Sequence, residues 1–248
     1  NENVEILLAD FASQQSIIEM TEHFYDQYDR LDVLINNAGA HFSKHHETVE
    51  GVEMTFAINY LAHFLLTNLL SDMLIKSAPC RIINVAGEYH RKGTIHFDDL
   101  RLEKHYSAFI ATSQAQLARV LFTYELARLN ITVTCAHPGA IATHIIDHDP
   151  DISAFMKILY KLATPLMDPP SKGAETVLYL AASPEVAEIT GSYFIKNKPV
   201  RSAEKTYDTD LALRLWDISK QLTPHADIHK SFEPLHYDSN KIYTENPE

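Results

Sequence analysis

The sequence predicts an α/β fold in which a doubly wound, mostly parallel sheet carries helices on both faces. Two observations lead there. Short continuous apolar runs, such as LDVLINNAG and RIINVA, read as strands buried on both sides, and they alternate with amphipathic stretches of ten or more residues. Alternation of this kind is the signature of βα units in a parallel sheet. At 248 residues, with 46% hydrophobic and 22% charged side chains, the chain can build a sizeable core.

The elements follow in order. Val4–Asp10 reads as a strand, and SQQSIIEMTEHFYDQYD as a helix with Ile17, Met20, Phe24 and Tyr28 on one face. Leu31–Gly39 is a second strand, followed by a long amphipathic stretch from about Val49 to Ile75 and the strand Arg81–Ala86. A helix over Ser107–Leu129 precedes the strand ITVTCAHPG, a helix near Lys172–Ala182, the strand GSYFIK and a last helix around Ala203–Leu222. One domain over 1–222 and an irregular Pro/His/Asp/Asn-rich extension over 223–248 are expected. Ligands of such sheets bind at the carboxyl ends of the strands. Here those ends carry NNAG, NVAG and HPGAIAT, which would line one crevice.

Composition excludes some functions. A net charge of −12 and no long Lys/Arg run argue against a nucleic-acid partner, because such binding rests on neutralising phosphates. Cys80 and Cys135 have no CxxC spacing and no disulfide framework, which fits a reducing intracellular compartment. No apolar run reaches the roughly 18 to 20 residues that span a bilayer. The chain opens at Asn1 without Met, as a fragment or processed product would, so a targeting or membrane-anchoring segment could precede it. Fourteen histidines suggest metal binding, in HFSKHH (His41, His45, His46), His144 with His148, and His225 with His229. No H-E-x-x-H or Cys/His combination accompanies them, so solvated loop histidines and no metal site are expected.

At LDVLINNAGA, EMTFAINYLAHFLLTNLL and HPGAIAT the chain resembles the short-chain dehydrogenase/reductases, specifically their retinol dehydrogenase-like group, from the first strand to about His225. The resemblance implies a Rossmann-like fold with strand order 3-2-1-4-5-6-7 and an NADP or NAD cofactor. It implies that Asp10 meets the adenine amine, that Asn37, Ala38 and Gly39, after Asn36, pass close to the adenine ribose, and that Pro138, Gly139 and Thr143 flank the nicotinamide. It also implies catalysis by an Asn, a Ser, a Tyr and a Lys. Asn59 matches the Asn, but the other three positions read Gly87, Thr112 and Gln116.

An aliphatic hydroxyl is too weak an acid to replace a phenol activated by a neighbouring ammonium, and a neutral amide shifts no pKa. Losing general acid–base catalysis costs about 10²–10⁴-fold. Losing the hydroxyl that holds the substrate oxygen costs on the order of 10²–10³ more, though not additively. Tyr237 and Lys241 repeat the Tyr-x-x-x-Lys spacing only in the tail, and Tyr124 with Arg128 falls on a packing stripe.

No Gly-rich turn precedes Asp10, so relative to the family pattern the first two βα units are missing and the expected cofactor grip is weakened. The sheet would have a gap, or the Asn1 segment would cover the open edge. DISAFMKILYKLATPLMDPP reads equally as a substrate lid or a core helix. The expected function is that of a non-catalytic or severely impaired relative, a pseudoenzyme that binds a lipophilic small molecule or a partner. The alternative is an NAD(P)(H)-dependent oxidoreductase of lipophilic alcohols and carbonyls represented by an incomplete chain. The resemblance further implies a homodimer through Val49–Ile75 and Ser107–Leu129.

Overall fold

A computed structural model describes residues 4–129, 131–142, 145 and 149–224. Five strands form one sheet in the order β1 (Val33–Asn36), β2 (Arg81–Val85), β3 (Val133–His137), β4 (Ser192–Ile195) and β5 (Lys198–Pro199). The first three pairings are parallel, with Leu34 opposite Ile82, Asn84 opposite Cys135 and Ala136 opposite Phe194, and β5 returns antiparallel. The doubly wound α/β expectation holds.

Helix α1 (Gln14–Gln27) starts where the Ser13 hydroxyl accepts from the Ser16 N–H, which satisfies one free amide of the first turn. Residues 54–69 form a single helical rod in three parts: α2 (Met54–Phe56), a π-turn over Ala57–Leu61, and α3 (Ala62–Leu69). The carboxylate of Glu53 caps it by accepting from Thr55 and Phe56. After α4 (Ser71–Lys76), the 21-residue α5 (Ala108–Arg128) crosses the sheet face, buried on nearly every side. Beyond it come α6 (Ala154–Ala163), α7 (Pro170–Ala182) and α8 (Thr209–Leu222). The main core lies between the sheet and α1, α3, α5 and α8, where Phe64, Leu121 and Leu215 meet. A second cluster, Ile83, Ala136, Leu180 and Phe194, seals the opposite face beneath α7.

The amino end departs from expectation. Val4–Asp10 joins no ladder, and Val4, Ile6 and Leu8 are 64%, 78% and 87% exposed. It is therefore not a strand, and it does not cross to cover β1, whose outer edge has no partner strand among the described residues. The physical reason is that a strand persists only when a neighbour pairs its amides and carbonyls. An apolar run cannot supply that neighbour. Other boundaries contract: the helix expected from Val49 starts at Met54, and the one from Ala203 starts at Thr209 after a 3₁₀ turn over Glu204–Tyr207. The extension beyond residue 224 lies outside the described residues.

Candidate functional site

The crevice forms where β1, β2 and β3 end side by side. A buried amide relay fixes the first two ends: Asn36 Nδ2 donates to Asn84 Oδ1 at 2.8 Å and to Thr67 Oγ1 at 2.9 Å, and Asn84 Nδ2 donates to Thr123 Oγ1 at 2.9 Å. The relay ties the sheet to α3 and α5, and beyond it Asn37, Ala38 and Gly39 lie exposed at the strand end. Asn59 stands inside the π-turn, a wide turn that re-aims side chains and is frequent at functional sites. Its amide takes the Ala40 N–H at 2.7 Å and donates to the Ala40 carbonyl at 2.9 Å, so it clamps the chain leaving the NNAG turn.

Arg119, which the sequence reading passed over, joins these parts. Its guanidinium is buried, donates to the carbonyls of Val85 and Ala38 (3.0 Å), and gives Nη2–H to His63 Nδ1 at 2.6 Å. Burial lowers its pKa to about 10. The same burial, with the Arg119 charge beside it, holds the His63 imidazole well below its ordinary value, so His63 is neutral and acts as an acceptor. The signal was legible: one arginine interrupts the apolar run LARVLF in a helix otherwise packed all round.

Gly87 follows the end of β2, and Gln116 on α5 reaches over it. A Cβ added at Gly87 would stand 3.0 Å from Gln116 Oε1. The amide thus fills the space a serine side chain would use, and its Oε1 is buried without a hydrogen-bond partner. Thr112, one turn earlier, is half-buried. Just past β3, Pro138 is half-buried and Gly139 adopts φ +93, a conformation that favours glycine. The Gly139 N–H donates to His137 Nδ1 at 2.7 Å, and His137 Nε2 faces Glu88 Oε2 at 3.8 Å. Neither Glu88 nor His137 was singled out from the sequence; only their places, Glu88 just after NVAG and His137 at the head of HPGAIAT, hinted at them. Asp10 is exposed and spends Oδ1 on the Ala12 N–H, capping the chain into α1. Thr143, His144 and His148 lie outside the described residues, as do His225, His229, Tyr237 and Lys241.

Tyr124 is a core residue, its hydroxyl 2.7 Å from Ser202 Oγ. His45 and His46 have ordinary partners, the Arg101 carbonyl at 2.7 Å and Asp151 at 2.6 Å. No group of three or more metal-ligating side chains gathers among the described residues. No helix there is long and apolar enough to cross a membrane. Helix α6 buries none of its residues, so the core-helix reading of this segment fails. It presents Phe155, Ile158, Leu162 and, beyond its end, Leu166 at 60–90% exposure.

The strand ends fit the sugars of a nicotinamide dinucleotide but not its pyrophosphate. The orphaned Gln116 Oε1 can accept a ribose hydroxyl, and the exposed 37–39 backbone can approach a sugar. The described residues hold no glycine-rich turn to cradle the pyrophosphate.

The family model "short chain dehydrogenase" matches residues 1–151. Human retinol dehydrogenase 14 is 41% identical over 216 residues, covering 85% of this chain and 64% of that protein. The chain thus spans slightly less than two thirds of the length of that relative. Human retinol dehydrogenase 13 is 39% identical over 229 residues, 90% of this chain and 69% of its own. Among solved structures, an uncharacterized protein from Mycobacterium Paratuberculosis superposes with TM-score 0.64 at 28% identity, over 87% of this chain and 74% of that one. NADPH-bound carbonyl reductase from chicken fatty liver, at 17% identity and TM-score 0.56 over 81% and 78% of the two chains, shares the fold.

Proposed function

This chain belongs to the short-chain dehydrogenase/reductase family and its retinol dehydrogenase-like group, and from that premise we propose that it binds a lipophilic alcohol or carbonyl compound at its strand ends and turns it over far more slowly than its relatives. The observation that carries this reading is the occupancy of the crevice. Where a reductase of this family would present a serine hydroxyl, a phenol and an ammonium, Gly87, Thr112 and Gln116 stand, and the Gln116 amide fills the space above Gly87. The Tyr193 phenol, 3.5 Å from the Ala86 carbonyl, is buried in the core, and Arg119, on the same helix as Gln116, is committed to two carbonyls and His63.

A nicotinamide cofactor, when bound, supplies or accepts a hydride. Gln116 would hold one cofactor ribose, the 37–39 backbone would approach the adenine ribose, and Pro138 and Gly139 would border the nicotinamide. What the chain's own side chains do is narrower. Asn59 clamps Ala40, and Arg119 holds the ends of β1 and β2 in register, so the crevice keeps its shape without its proton donor. The exposed apolar side chains of α6, which follows the β3 loop, supply the greasy surface that a lipophilic ligand needs.

The test is turnover set beside binding. Purified protein should oxidise neither NADPH nor NADH above a no-enzyme control with retinaldehyde or medium-chain aldehydes, while retinol or retinaldehyde binds saturably by fluorescence. A rate within about tenfold of an ordinary family reductase would exceed what the missing acid–base pair allows. It would establish the second reading, an active NAD(P)(H)-dependent oxidoreductase, which the 41% identity to a retinol dehydrogenase favours.

A further inference from the structure

Glu88 and His137 sit at the carboxyl ends of adjacent parallel strands, Glu88 just past Gly87 after β2 and His137 as the last residue of β3. Neither occupies a position that the resemblance assigns to catalysis. Their geometry is that of an open donor–acceptor pair. The Gly139 N–H donates to His137 Nδ1, which fixes the neutral ring with its proton on Nε2. Nε2 lies 3.8 Å from Glu88 Oε2, too far for a direct hydrogen bond. The other carboxylate oxygen, Oε1, is taken by Arg91 Nε, so the carboxylate is anchored with Oε2 turned to the imidazole.

A single oxygen atom placed about 2.9 Å from both would accept from the imidazole and donate to the carboxylate. A hydroxyl group does both, whereas an ether oxygen can only accept. We propose that Glu88 and His137 form a hydroxyl-recognition site that selects an alcohol and orients its oxygen at the strand ends.

The surroundings suit a lipophilic alcohol. Tyr89, next to Glu88, is 52% exposed and meets Phe109 of α5, 46% exposed, edge to face at 5.5 Å. These rings offer apolar contact to the body of a ligand whose hydroxyl lies between Glu88 and His137. The remaining groups facing the imidazole are the Tyr193 ring, edge-on at 6.2 Å, and the Arg91 and His90 side chains. Tyr193 is buried and His90 spends Nδ1 on the Gly87 carbonyl and Nε2 on the Ala203 N–H. Glu88 is thus the acceptor facing His137, and it is half-exposed, so changing it need not disturb the core.

The inference rests on the reading that the crevice binds a lipophilic alcohol. The experiment titrates the purified 248-residue chain with retinol and with retinyl methyl ether, followed by ligand fluorescence, and repeats both with Glu88→Ala and Glu88→Gln. A hydrogen bond to a charged acceptor predicts that the wild-type chain binds retinol about tenfold or more tightly than the ether. Glu88→Ala should abolish that preference, and Glu88→Gln, which keeps an acceptor oxygen, should retain part of it. His137 provides a second readout: its ¹⁵Nε2 resonance should shift on adding retinol, and by less on adding the ether, whose oxygen can accept from the imidazole but donates nothing to Glu88. Equal binding of both compounds by the wild type, or a preference that survives Glu88→Ala, overturns the pair and leaves the lipophilic-ligand reading standing. Failure to bind either compound overturns both.

Discussion

Replacing His63 with glutamine should remove much of the acid sensitivity of this fold. His63 is fully buried, with Nδ1 accepting from Arg119 and Nε2 without a partner. Burial and the Arg119 charge depress its folded pKa well below 6.5, whereas the unfolded chain takes up the proton near 6.5. The sign follows from the proton count: below about pH 6.5 the unfolded state binds one more proton than the folded state, so stability falls as pH falls. For a site that stays neutral when folded, linkage between pH 7 and pH 5 amounts to about 2 kcal/mol.

In the His63→Gln variant the side-chain amide keeps an acceptor for Arg119 and cannot titrate. His90 and His137, whose pKa values burial also lowers, remain in both proteins, as do Glu53 and Glu125, whose raised pKa values act in the opposite direction. Their contributions cancel in the difference. Urea unfolding of both proteins at pH 7 and pH 5 should show the wild type losing about 2 kcal/mol more than the variant over that interval. Equal losses would refute the claim that a neutral His63 underlies the NNAG turn. The site would feel the same titration, because a second cation beside Arg119 would loosen its hold on the Ala38 carbonyl.

Three further outcomes are expected. Gly93→Ala should destabilise the fold by on the order of 3 kcal/mol in urea unfolding, because the new Cβ would lie 2.2 Å from the Ser113 carbonyl oxygen and 2.8 Å from Leu117 Cβ; a loss under about 0.5 kcal/mol would contradict this packing. The triple change Gly87→Ser, Thr112→Tyr, Gln116→Lys should raise carbonyl reduction above the wild-type level, since Asn59 keeps its clamp on Ala40 and Gln116, which crowds position 87, is removed; a variant that folds and binds cofactor yet stays at the wild-type rate would show that the crevice differs elsewhere. Phe155→Ser with Leu162→Ser should leave the melting temperature unchanged, both side chains being more than 70% exposed, and weaken retinol binding by about tenfold or more; unchanged affinity would separate α6 from the ligand.

The sequence by itself determined the alternation of buried strands and helices, the order of the strand-end motifs and the identity of the substituted positions, because these depend on local periodicity and on residue type. LDVLINNAG had to be a strand with a polar end, and Gly87, Thr112 and Gln116 cannot exchange protons as a phenol and an ammonium do, wherever they lie. Tertiary structure alone decided three things. It left Val4–Asp10 without a ladder, because strand formation depends on a neighbour that no local pattern specifies. It turned α6 outward, because an amphipathic pattern says that a face is apolar and not what covers it. And it brought Arg119 to His63 and to the Ala38 carbonyl, across 56 and 81 residues of chain, and Glu88 to His137 from the end of the neighbouring strand. Contacts of that range are set by how the sheet and its helices pack, so the site's residues could be named along the chain while its electrostatics could not.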